Sequence, residues 1–471
     1  MIKTTTTLIL AMSATLAMAQ EDAWKEMQKV ADNIQAPKIF PKEYKIENYG
    51  ASVDSSAEHN TIAINEAICA ANSNGGGTVV VGAGTWNTGP ITLLSNVCLK
   101  VEKDGELLFS TRHEMYLPVV RTRWEGIDCY NLHPLIYANG QHDIAITGEG
   151  TINGHASNKD WWYMCGAKRF GYVEGMLTQK RPGLGRQKLS QMEQNKVNVE
   201  ERKMSDADGL RPQLINFYEC ERILIENVTL RNSPFWVIHP TFVDNMIVRN
   251  VKIYSHGPNS DGCDPESSTN ILIENCIFDT GDDCIAIKSG RNNDGRLINK
   301  ASENIIVRNC QMKDGHGGVV IGSEIASGYR NLWVENCKMD SPELERVIRI
   351  KTNNCRGGII ENVYVRNIEV GQCKEAVLKI NLDYDSRENC QRDFPPIVRN
   401  VSLENVTSQK SKYGVRIIGY DDSTNIENIK ISNCSFNGVA EGNKIDGLTN
   451  NIVYKNYKQN GEKQKSPKAA K

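Results

Sequence analysis

NMIVRN at 245–250, NILIEN at 270–275 and NIIVRN at 304–309 are three copies of one short unit. It returns as NLWVEN at 331–336, NVYVRN at 362–367, NVSLEN at 400–405 and NIKISN at 428–433. RILIEN at 222–227 is an earlier copy with Arg in first place, and the stretch around Asp143 is an earlier variant. Successive starts lie 25, 34, 27, 31, 38 and 28 residues apart. Apolar and polar residues alternate within each copy, which is the signature of strands. The spacing leaves no room for the crossover helix of about a dozen residues that joins parallel strands in α/β folds. The expected fold is therefore all-β, a solenoid of parallel strands with one coil per repeat. An antiparallel sandwich with Asn in its turns is the alternative. Asn suits the corners because it tolerates a left-handed backbone, and stacked Asn side chains can hydrogen-bond along the axis.

Outward from this core the texture changes. Residues 59–71 read as an amphipathic helix, Gly75-Gly76-Gly77 ends it, and a Val-rich strand follows. A solenoid needs its first coil covered, so this helix is the expected N-terminal cap. Residues 155–211 break the repeat, are rich in Lys, Arg, Gln and Glu, and read as a long excursion with a helix over 187–202. Residues 102–135 form a second excursion. Residues 1–19 have a positive start at Lys3, an apolar run and the small residues of Ala17-Met18-Ala19, which together read as an export signal cut after Ala19. That reading places the mature protein in the periplasm or the medium. A lead segment at 20–42, the solenoid at 43–457 and a disordered basic tail at 458–471 complete the expected organisation.

A net charge of −2 over 471 residues offers no basic face for nucleic acid. No later run reaches eighteen apolar residues, so no membrane span is expected. Nothing in the sequence speaks to oligomeric state. Of 14 Cys, Cys276, Cys310, Cys337 and Cys434 fill a slot that holds Val228, Val251, Ile368 or Val406 in other repeats. They are expected to be core thiols, although coils about 4.8 Å apart leave a bridge such as Cys276–Cys310 open. No Cys or His cluster has zinc spacing, and neither metal nor cofactor is expected.

Four segments carry the chemistry: HGPNSDGCDP at 256–265, TGDDCIAIKSG at 280–290, DGHGGVVIG at 314–322 and RVIRIK at 346–351. They supply Asp261, Asp282, Asp283, His316, Arg349 and Lys351 from successive coils. Asp282 and His316 each lie seven residues after the second Asn of a repeat, so they stack about 4.8 Å apart. Asp282 and Asp283 would leave a flat strand on opposite faces, and a bend at Gly281 is needed to bring both to one cleft. Three adjacent carboxylates repel, so one should keep its proton to higher pH and stand as an acid beside ionised bases.

NSD, GDD, GHG and RIK, in this order, resemble the polygalacturonases of glycoside hydrolase family 28. So do the opening around YGA, NTIAINEAI and GGGTVVV and the segment SPFWVIHP at 233–240. The resemblance runs over roughly 44–456. It implies a right-handed parallel β-helix of the pectin-lyase-like kind, no metal, and inverting hydrolysis of α-1,4-galacturonosyl bonds in polygalacturonate or pectin. It implies Asp282 as general acid, Asp261 and Asp283 as the pair that holds and deprotonates water, and His316 as support for the acid. Arg349 and Lys351 would grip a substrate carboxylate, and Tyr384 would be the cleft tyrosine. Inversion calls for carboxyl groups about 6.5–9.5 Å apart.

Lys288 and Arg291 are expected to add substrate carboxylate contacts. Trp236, which shares the SPFWVIHP segment with His239, should line the wall below the cleft rather than stack on sugar. Trp124, Trp161 and Trp162 are candidates for a sugar platform. Ser260 stands where many endo-acting relatives have Thr, and the excursions at 102–135 and 155–211 would close one end of a groove, which favours exo action. Competing readings are a hydrolase of rhamnogalacturonan or other pectin fragments, a lyase whose acids hold Ca²⁺, and a solenoid that only binds polysaccharide.

Overall fold

The computed structural model describes residues 22–467, so the export signal expected at 1–19 lies outside the described residues. The repeats form the coils of a right-handed parallel β-helix. Met246, Ile271, Ile305, Leu332, Val363, Val401, Ile429 and Ile452 pair in sequence as one column through the core. The first Asn of each repeat from Asn245 to Asn428 has φ between 56° and 67°. A left-handed conformation costs an ordinary residue about 1–2 kcal/mol. The ladder offsets that cost, because each Asn amide from Asn304 to Asn451 donates to the Asn of the coil before at 2.7–3.1 Å.

One face of the helix carries the sheet of interest here, called the cleft sheet. Its strands are Ile136–Asn139, Ile215–Tyr218, Ile238–Thr241, Ile285–Ile287, Val319–Gly322, Arg346–Lys351, Ala376–Asn381, Tyr413–Ile418 and Lys444–Asp446. Cys263 bridges Ile238 to Ile285 and joins the stack into one surface.

Two helices serve the ends and flank. Helix α1 (22–33), in the expected lead segment, packs Trp24 and Met27 on Ile247, Leu272, Ile306 and Trp333. The Trp333 indole donates to the Ala23 carbonyl at 2.9 Å. Helix α2 (Ala57–Ser73) is the cap, longer than the expected 59–71 by two residues at each end, and buries Ala63, Ile64, Ala67, Ile68 and Ala71. Ser56 starts it by accepting from the His59 amide. Among the described residues no helix is long and apolar enough to cross a membrane.

The tail is a correction. Residues 458–467 are not structureless: Lys458–Gln459 stacks on Ser435 and Phe436 and turns back to pair antiparallel with Glu462–Lys463. The open edge of the last coil presents unpaired backbone groups, and this hairpin covers them. Cys355 and Cys390 form a disulfide with Cα atoms 5.9 Å apart, while Cys276, Cys310, Cys337 and Cys434 are buried thiols.

The two excursions meet over the N-terminal coils of the cleft sheet. A hairpin of Val120–Trp124 and Ile127–Asn131 lies across its outer face. Thr122 donates to Asn216 at 2.9 Å, and Tyr137 donates to the Arg121 carbonyl at 2.6 Å. Residues 155–211 contain helix α3 (Gly185–Gln194), shorter than the expected 187–202 because Lys196 turns left-handed and a single 3-10 turn, Val199–Glu201, follows.

Candidate active site

Asp261, Asp282 and Asp283 leave the corners just before the cleft-sheet strands, one coil apart. Carboxylate oxygens of all three lie within 4.8 Å of one another. Gly281 permits the expected bend: a Cβ there would stand 2.4 Å from the Gly257 carbonyl oxygen. Gly317 gives room on the other side, where a Cβ would meet Val320 at 2.3 Å and the Asp283 carboxylate at 3.1 Å. His316 Nδ1 is 2.9 Å from Asp282 Oδ1, as their equal offsets in the repeat require.

The cations come from the next coil. Lys351 donates to Asp283 at 2.6 Å and Arg349 reaches its other oxygen at 3.5 Å. The Tyr384 ring stands 5.4 Å from Arg349 and 5.3 Å from Lys351. Asp261, Asp282, His316, Arg349, Lys351 and Tyr384 line one cleft of about 550 Å³, and Asp283 is buried directly behind its wall. Lys288 lies beneath the acids, 3.9 Å from Asp261 and 3.2 Å from Glu324, with its ammonium 4.5 Å over the Trp236 ring. Trp236 thus lines the wall as expected, and His239 is buried behind it, 2.8 Å from Glu266.

Other expectations do not hold. Arg291 does not present a free cation: its guanidinium is taken by Glu388 at 2.9 Å and Glu125 at 3.1 Å, so it braces the wall. Trp124 is buried and stacked on Phe235, and Trp161 is buried against His113 and Tyr116. Trp162 is half-buried and donates to the Ser233 carbonyl. None of the three forms an open sugar platform. The acids also sit closer together than about 6.5–9.5 Å.

Burial, with the charges of Asp264 and Asp282, pushes Asp261 well above the ordinary carboxylate range. Burial acts on Asp282 too, but the His316 hydrogen bond and charge outweigh it and hold Asp282 well below that range. The same hydrogen bond lifts His316 to about 9. Without sugar, His316 therefore carries a proton at neutral pH, while Asp261 holds its proton to higher pH than an ordinary carboxylate. One acid of the three does hold its proton to higher pH, as mutual repulsion requires, and it is Asp261, one coil before Asp282.

The three acids have the spacing of a cation cage. Lys351, Arg349 and Lys288 already stand on them, and a divalent ion would have to displace Lys351 from Asp283 against like charge. This donor set suits an acid–base centre for an anionic substrate.

Sequence reasoning missed four residues. Asp264 is buried beside the cluster, and neither of its carboxylate oxygens has a partner. Glu324 fixes Lys288. Asn259 lines the cleft, its carbonyl oxygen fixed by Arg211 at 2.7 Å. Arg186, from α3, reaches Glu125 at the hairpin tip at 2.9 Å. Asn259 and Asp264 lie within the quoted HGPNSDGCDP segment, of which only Ser260 and Asp261 drew notice. Arg186 carried no signal, because its partner lies in another excursion.

The glycosyl hydrolases family 28 model matches residues 198–452, which hold Asp261, Asp282, Asp283, His316, Arg349 and Lys351. A solved exopolygalacturonase from Thermotoga maritima is 38% identical, with a TM-score of 0.87 over 94% of this chain and 97% of that one. A probable polygalacturonase of Vitis vinifera is 27% identical over 79% of this chain and 69% of its own. An exo-poly-alpha-D-galacturonosidase of Dickeya chrysanthemi is 25% identical over 89% and 72%. With the acids, the imidazole and the cations gathered in one cleft of a parallel β-helix, and the family model spanning that cleft, the chain belongs to family 28 of the glycosyl hydrolases.

Proposed function

We propose that this glycoside hydrolase cleaves α-1,4-galacturonosyl bonds of polygalacturonate from a chain end, outside the cytoplasm. The observation that carries the reading is the Asp261–Asp282–Asp283 cluster, within 4.8 Å, with Lys351 and Arg349 on its rim. A guanidinium and an ammonium beside the reacting bond fit a sugar that bears a carboxylate. The polygalacturonases among its relatives support the same substrate.

The proton for the leaving oxygen comes from the His316–Asp282 pair. A docked sugar excludes water, and in drier surroundings a neutral imidazole beside a carboxylic acid costs less than an ion pair. The proton then crosses 2.9 Å from Nδ1 to Asp282, which passes it to the glycosidic oxygen as the bond from the anomeric carbon breaks. Asp261 holds the attacking water and Asp283 takes its proton. Two hydrogen bonds of about 2.8 Å each let one water bridge carboxylates spaced as these are. Inversion is the outcome that the family resemblance implies. Arg349, Lys351 and Tyr384 hold the sugar next to the bond.

Exo action rests on the hairpin and α3, which cover the cleft sheet on one side of the acids. Mass and anomeric NMR analysis of the products tests the bond, the stereochemistry and the mode together. Single released units with the anomer inverted, while viscosity lags behind reducing ends, are expected. Unsaturated products or an early viscosity drop would overturn the reading.

A further inference from the structure

On the side of the acids away from the hairpin the cleft sheet continues for three more coils, where Lys379 and Arg416 are partly exposed and Lys444 is exposed. Arg349 pairs in register with Lys379, Lys379 with Arg416, and Arg416 with Lys444. The flanking columns, Ile348–Leu378–Val415 and Ile350–Ile380–Ile417, are buried core. Alternation along a strand therefore turns the four cations to the outer face. Coils repeat at about 4.8 Å, close to the length of one pyranose unit.

We propose that Arg349, Lys379, Arg416 and Lys444 form a track that binds successive carboxylates of the uronate polymer whose end occupies the cleft. The proposal rests on the substrate reading above and adds where the body of the chain lies. Arg346 lines the cleft at the start of the track. Burial, with repulsion from Arg346 and Arg349, lowers the Lys379 pKa, and its one acidic neighbour, Glu375, is shared with Arg346. Arg416 holds Asp446 at 2.5 Å, and Lys444 stands 3.8 Å from the same carboxylate. The acids along the track are thus shared between cations, and a uronate relieves the remaining repulsion. A partly neutralised track also suits an enzyme that must let its polymer advance after each cut.

The test compares long polygalacturonate with digalacturonate, which is too short to reach Arg416. In the Lys379→Gln/Arg416→Gln variant, the kcat/KM ratio of long over short substrate should fall about tenfold, the sum of two partly exposed ion contacts. Lys444→Gln alters an exposed side chain with little risk to folding and should lower the ratio by a smaller factor through KM alone. An unchanged ratio in both variants, with thermal unfolding as in wild type, would overturn the track. Failure of the wild-type enzyme to cleave either substrate would sink the substrate reading. The track would then be judged by affinity electrophoresis in polygalacturonate gels: equal retardation of wild type and double variant would overturn it too.

Discussion

The two ends of the cleft sheet are built from the same coils and treated in opposite ways. Over Ile136–Asn139, Ile215–Tyr218 and Ile238–Thr241 the outer face is roofed by the hairpin at 120–131, and Arg291, Glu125 and Arg186 lock its tip. Over Ala376–Asn381, Tyr413–Ile418 and Lys444–Asp446 the hairpin does not reach, and the face carries one partly exposed or exposed cation per coil. The closed end buries its charges in pairs, where water does not weaken them. The open end leaves its charges within reach of solvent, where a polymer can replace it. Identical backbone geometry thus gives a stop at one end and a slide at the other, decided by loops and by one outward side chain per strand.

The acids sit where the two ends meet, and removing them should have the largest effect. Asp282→Asn should lower kcat roughly 10³-fold, with the circular dichroism spectrum unchanged; near-normal turnover would mean that the junction is not the reaction centre. Next comes the stop itself. Arg291→Ala leaves Glu125 to Arg186 and Glu388 to Arg356 and removes the cation that ties the two together, at a cost of roughly 1.5–3 kcal/mol, read as a shift in the urea midpoint. The same variant should also cut within chains, so that viscosity falls earlier relative to reducing ends. Loss of stability with no change in that lag would show that the wall does not set the mode.

The junction has its own pH signature. The His316 pKa is raised to about 9 from an ordinary 6.5. Its ion pair with Asp282 therefore contributes stability fully below pH 6.5 and loses it as pH rises through about 9. Above that range the pair has no proton to pass, and kcat/KM should fall with a midpoint near 9. In His316→Gln, Asp282 must keep its own proton, so the fall should move to lower pH. A midpoint that stays in place would assign the limb to another group.

Much of this was legible in the chain. The Asn-flanked alternation gave strands, corners and the ladder, because backbone geometry depends on local residue type. Equal offsets from the second Asn put Asp282 against His316. The harder features depend on contacts between distant segments. Outward Ile247, Leu272, Ile306 and Trp333 form an apolar stripe that α1 covers, yet each alone looks like an ordinary strand residue. Arg291 looked like a substrate contact until Glu125 and Glu388 closed on it from segments 166 and 97 residues away. The upward shift at Asp261 and the downward shift at Asp282 follow from burial and neighbours that no spacing rule contains.

The smallest expected effect separates the two ends most directly. Raising ionic strength from about 0.1 to about 1 M shortens the Debye length from about 10 to about 3 Å. Charges at the closed end are paired at contact distance and out of solvent, so the urea midpoint should barely move and the lag in viscosity should persist. Charges along Lys379, Arg416 and Lys444 act on a solvated polyanion, so KM for long polygalacturonate should rise about threefold while KM for digalacturonate moves less. If salt raises both KM values in parallel, the dependence belongs to Arg349 and Lys351 at the junction, and the open face adds nothing that distinguishes it from any charged surface.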